Sequence, residues 1–139
     1  MIAGIAAAFA VIMAIELASR QIWPWPTGLD FTNRETAAAA MAQVPLGSLV
    51  SVAVAWTVGA FAGAWVAATV ARKAWPGLVA GCLVIVGAVA NLVTLPHPLW
   101  FWPVALVVVP LAAILGARLG TGRRRVVAAM PASSDVQTR

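Results

Sequence analysis

Charged side chains are scarce in this chain. Of 139 residues, 9 are Lys or Arg and 4 are Asp or Glu, together 9%, against 63% hydrophobic. A water-soluble domain carries about 25% charged residues, so a soluble enzyme and a disordered chain are both excluded. Cysteine occurs once, as Cys82 inside an apolar run. That excludes a disulfide scaffold and any Cys-x-x-Cys redox or metal site. Tyrosine is absent and His97 is the one histidine, which leaves few groups for acid–base catalysis. There is no Walker loop and no dinucleotide glycine fingerprint. Ser48 and Ser51 carry no nucleophile motif, and one Glu with one His is too small a ligand set for zinc. The chain is therefore expected to be non-enzymatic, with no catalytic residue, metal or cofactor.

What is present is apolar sequence in long runs. Met1–Ser19 is interrupted only by Glu16, and Gly77–Leu95 and Pro98–Ala117 carry no charge. A membrane-spanning helix needs about 20 such residues. The run Ala37–Ala71 is too long for one straight span, and Pro45 divides it. The expected fold is all-α, a polytopic bundle of four transmembrane helices, with a long second helix kinked at Pro45. Spans are expected at about 2–20, 45–72, 77–95 and 98–118, within one domain over 1–120. An outer loop is expected at about 20–33 and a lead-in helix at about 33–44, with Thr32 as cap and Glu35 completing a capping box. Residues 121–139 read as a basic, flexible tail. The first run has no basic segment before it and carries Glu16 in its distal part, so it reads as a retained helix rather than a signal peptide.

The net charge is +5, yet the basic residues do not form one face that would suit nucleic acid. Arg72, Lys73, Arg118, Arg123, Arg124, Arg125 and Arg139 fall on one side of a four-span topology, and Arg20 and Arg34 on the other. This seven-to-two bias puts both termini in the cytoplasm and suggests a bacterial inner membrane. Trp75 then marks the inner interface, and Trp23, Trp25, Trp100 and Trp102 the outer one, as an aromatic belt.

In lipid, helices associate through small residues that let backbones approach. Gly59, Gly63, Ala67 and Ala71 recur every four residues in the second span. Ala6, Ala10, Ala14 and Ala18 do so in the first, Gly77 and Gly81 in the third, and Ala112, Gly116 and Gly120 in the fourth. These faces suit a tight bundle, a homo-oligomer or a larger membrane complex, with the bilayer as the common partner. Pro110 should kink the fourth span.

Few polar residues lie within the spans. Glu16 is the only acid there, four residues before Arg20. One reading is an i, i+4 ion pair at the interface; the other is a protonatable or cation-binding site. Asn91, Gln43 and His97 fall at a similar depth, so all four helices bring a polar group to one outer layer.

The stretches Trp23-Pro24-Trp25-Pro26-Thr27-Gly28-Leu29-Asp30, Ala55-Trp56, Asn91-Leu92 and Pro96-His97-Pro98-Leu99-Trp100-Phe101-Trp102 are similar to those of a set of small four-helix bacterial membrane proteins. The resemblance covers about residues 16–119. It implies the topology and carries no activity. Four short helices with one acid in the first also resemble the small multidrug resistance transporters, from which the outer loop and the charge bias depart. Two functions are open on these grounds. One is a structural or accessory membrane protein packing through its small-residue faces. The other is a small proton- or cation-linked transporter, or a ligand-binding protein, built on the layer of Glu16, Arg20, Gln43, Asn91 and His97.

Overall fold

A computed structural model describes residues 1–128, and the side chains of residues 1–122. Arg123, Arg124, Arg125 and Arg139, the basic residues of the expected tail, therefore lie outside the described side chains. The described residues are all-helical, with no strand among them. Helix α1 is Ile2–Ile22, α2 Arg34–Ala42, α3 Leu46–Ala71 and α4 Ala74–Thr94. A short α5, Phe101–Pro103, passes through a π-helical turn at Val104–Val108 into α6, Val109–Ala128. Four helices are long and apolar enough to cross a membrane: α1, α3, α4 and the continuous run Phe101–Gly122. Residues 121–128, expected as the start of a flexible tail, are helical.

Two local expectations are corrected. The cap of α2 is Asn33 rather than Thr32: Asn33 Oδ1 accepts from the backbone N–H of Glu35 at 3.1 Å and of Thr36 at 2.9 Å. Thr32 is engaged elsewhere, donating its hydroxyl at 2.7 Å and its N–H at 2.8 Å to Asp30 Oδ1. Those two bonds favour the ionised carboxylate and hold the pKa of Asp30 below its ordinary value, the hydroxyl contributing most. A lowered folded-state pKa stabilises this turn at neutral pH, and that contribution is lost as pH falls through the lowered value. The second correction is at Pro45. The lead-in helix and the second span are separate helices, as their expected bounds have it, but Pro45 kinks neither: it stands at φ −56°, ψ 137° as the cap of α3. Proline disfavours the helical region for the residue before it, so the chain leaves the helix there.

Helix α3 is the centre of the bundle and packs against α1, α4 and α6, whereas α1 and α4 meet only weakly. The contacts are backbone-close. A Cβ placed on Gly63 would stand 2.7 Å from Ala8 Cβ and 2.8 Å from Gly4 O. One on Gly59 would stand 2.5 Å from Ile12 Cγ1, and one on Gly81 2.5 Å from Ala113 Cβ. At Gly116 it would strike the carbonyl oxygen of Phe61. Ala67 is wholly buried beneath Gly4. On α1 the packed face is Gly4 and Ala8, and the Ala6, Ala10, Ala14, Ala18 stripe is exposed. Both stripes have the same spacing. Gly4 decides between them, because only a glycine admits the Gly63–Ala67 turn of α3 this closely.

Pro110 has no N–H to donate to the carbonyl four residues back. The irregularity it brings is the π-helical turn just before it, a usual way for a long helix to absorb such a break. At the other end of the bundle α3 and α4 are joined by two residues, with Arg72 left-handed at φ 59°. Pro76 sits within the first turn of α4, where the helix has no internal partner for an N–H. The outside of the bundle is covered by large apolar side chains, among them Phe9, Leu17, Leu83, Val86, Leu111 and Leu115. That surface suits hydrocarbon rather than water.

Candidate functional site

A cleft of about 170 Å³ opens at the end of the bundle where the α1–α2 loop meets the α4–α5 turn. Glu16, Arg20, Asn91 and His97, four of the five polar residues singled out in the sequence, line it together. Gln43 does not: it is exposed, and its Nε2 donates to its own helix at Ala39 O, 3.3 Å away. The helical repeat explains the α1 wall, since Glu16, Ser19 and Arg20 stand three and four residues apart on one face. Asn91 comes from the last turn of α4, and His97 from the turn that follows.

Arg20 does not form an ion pair with Glu16; none is found between them among the described residues. Its guanidinium lies over the ring of Trp25, with Cζ 5.8 Å from the ring centroid, in cation–π geometry. The half-buried Glu16 carboxylate therefore faces the cleft without a cationic partner on the next turn.

The His97 ring is held by its own turn. Its Nδ1 lies 2.9 Å from Leu95 O, and since a carbonyl oxygen only accepts, Nδ1 is the donor in this contact. The ring stacks at 4.8 Å on Phe101, which is completely buried and meets Trp56 edge-on at 5.5 Å. Trp56 and His97 line the cleft floor, and Phe101 packs beneath both.

The remaining wall was not legible in the sequence. Trp23 and Trp25, read as belt residues, also fasten the α1–α2 loop to α3. The Trp23 ring covers Gly47, and Trp25 Nε1 donates to Ser48 Oγ at 2.7 Å. Trp100 is exposed beside Phe101, and Trp75 is exposed at the opposite end of the bundle. Trp102 is half-buried against the core. Ser48 and Ser19 are the buried polar residues among those described. Ser48 is satisfied by Trp25. Ser19 Oγ, in a residue 5% exposed, has no hydrogen-bond partner among the described residues and lines the cleft. Its position three residues after Glu16 was the one available signal.

Comparison with protein families, with curated proteins and with solved structures finds no match for this chain. The site therefore stands on its own chemistry. Among the described residues no group of three or more His, Cys, Asp or Glu is placed to hold a metal. The cleft gathers the Glu16 carboxylate, which only accepts, the Arg20 guanidinium, which only donates, and Asn91 and the unpartnered Ser19 hydroxyl, which do both. An unsatisfied buried polar group costs about 1–3 kcal/mol, so an occupant that hydrogen-bonds Ser19 removes a penalty as well as adding bonds.

Proposed function

We propose that this chain is an integral protein of a bacterial cytoplasmic membrane that binds a small, donor-bearing, cationic ligand in the cleft, as a binding protein or small transporter. One observation carries the reading. Glu16, Asn91 and His97, from three segments of the chain, converge on one cleft beside a buried Ser19 hydroxyl that has no partner. Packing alone does not call for that convergence. The test is ligand-induced thermal stabilisation in mild detergent, using ethanolamine as probe. Wild type should be stabilised. Glu16→Gln should bind about tenfold to a hundredfold more weakly, the effect of one charge-assisted hydrogen bond. Equal binding by the two proteins defeats the proposal.

Both termini are proposed to lie inside, on the seven-to-two distribution of basic residues, which puts the cleft at the outer leaflet. In a Cys82→Ala background, Thr27→Cys should react with an impermeant thiol reagent in intact cells and Lys73→Cys should not. The reverse pattern inverts the orientation.

A structural or accessory role, packing with itself or a larger complex, is the second reading. It is favoured by the exposed small stripe Ala6, Ala10, Ala14 and Ala18, which no helix among the described residues covers.

A further inference from the structure

The cleft does not end at its polar wall. A second cavity of about 190 Å³ lies between α1 and α4, walled by Ile5, Phe9, Ile12, Leu83, Val84 and Gly87. Trp56 and Asn91 line both spaces, so the two adjoin at those side chains. The sequence builds this on both helices. On α1, positions 5, 8, 9 and 12 continue the face that carries Glu16 and Ser19; on α4, positions 80, 83, 84, 87 and 88 continue the face of Asn91. Each stripe is apolar for about two turns and then polar. From Ile5 to Glu16 the groove runs roughly 16 Å at helical rise, close to half of a hydrocarbon core of about 30 Å. One leaflet has that depth. Nothing within the bundle fills the groove at Gly87, where an added Cβ would meet no atom within 4 Å.

We infer that cleft and groove together hold one aminophospholipid of the bilayer, an inference that rests on the cleft being a ligand site. One acyl chain lies between α1 and α4. The primary ammonium sits among Glu16, Ser19, Asn91 and His97, and the phosphate faces Arg20. Charge complementarity selects this head. The cleft carries one anion and one cation a helical turn apart, unpaired with each other, and a zwitterionic head answers both. Hydrogen bonding selects the amine. A primary ammonium has three donors for the Glu16 carboxylate and for the oxygens of Ser19 and Asn91 beside it, whereas a quaternary ammonium has none. A wholly water-soluble ligand would leave the adjoining apolar groove unused.

The experiment is native mass spectrometry of the delipidated full chain. It is offered phosphatidylethanolamine, phosphatidylcholine and phosphatidylglycerol with identical acyl chains, and ethanolamine stabilisation is measured in parallel. Wild type should retain one phosphatidylethanolamine with about tenfold preference over the other two, as one charge-assisted bond supplies. Gly87→Leu, which grows into open space, should reduce that retention about tenfold. Leu83→Trp, which fills the groove from a different position, should do the same. Glu16→Gln should bind all three lipids alike. Equal retention of the three lipids by wild type, or retention unchanged in both groove variants, overturns the inference. A preference for phosphatidylcholine also overturns it, by refuting the donor match. Stabilisation by ethanolamine without lipid preference overturns the lipid assignment while leaving the cleft as a ligand site. Binding of neither probe removes both.

Discussion

Gly63→Leu should damage the bundle severely. A bare Cβ at this position already falls 2.7 Å from Ala8 Cβ and 2.8 Å from Gly4 O, and the second neighbour is backbone that cannot rotate aside. Overpacking of this kind costs about 1–3 kcal/mol where side chains can yield, and the cost rises where they cannot. Helix α1 must then move away from α3, and little else holds it, since it meets α4 only weakly. The expected result is a large fall in melting temperature in mild detergent. Gly87→Leu supplies the internal control: the same residue change into open space should leave melting of the delipidated protein close to wild type. Equal melting of Gly63→Leu and wild type would show that the α1–α3 contact does not hold the bundle together.

Phe101→Ala should come next. Phe101 is fully buried and touches Trp56, His97 and Trp100 at ring separations of 5.5, 4.8 and 5.4 Å. Truncating a buried Phe in a close-packed interior costs about 3–5 kcal/mol through lost contacts and the remaining cavity. Part of that figure is transfer from water, which counts for less where the surroundings are lipid, so about 2–4 kcal/mol is expected here. The loss has a local signature too. His97 stacks on this ring, so its proton resonances should shift in the variant while those of residues at the Arg72–Lys73 end do not. A variant that melts like wild type would show that the cleft floor is not part of the core.

How much was legible in the sequence differs by scale. Span number and extent were readable, because about 20 apolar residues per crossing is a condition set by the bilayer. A depth shared by Glu16, Asn91 and His97 was readable for a similar reason: rise per residue is constant. Rotation about each helix axis was not. Gly4–Ala8 and Ala6–Ala10–Ala14–Ala18 have equivalent spacing, and only the partner helix distinguishes them. The same lack of phase hid Ser19 and Trp56 as cleft residues and kept Gln43 among the candidates, while Trp25 was hidden by the path of the α1–α2 loop. Asn33 was missed as the α2 cap for a different reason. Thr32 and Asn33 are adjacent and both are good caps, and the choice turns on Asp30, which engages Thr32 from two residues upstream.

The lengths of the connections bear on the order of assembly. Helices α3 and α4 are joined by Arg72 and Lys73 alone, so they form a hairpin whose closure costs little chain entropy. Helix α1 is attached through the whole interval from Trp23 to Pro45, including α2, and has a longer loop to close. A nascent chain that has made the hairpin but has not docked α1 already possesses the Ser48 and Asn91 walls. It lacks Glu16, Ser19 and Arg20 at the site and one bank of the groove. The complete cleft is then a mark of the finished molecule: a form in which α1 has not docked does not possess it.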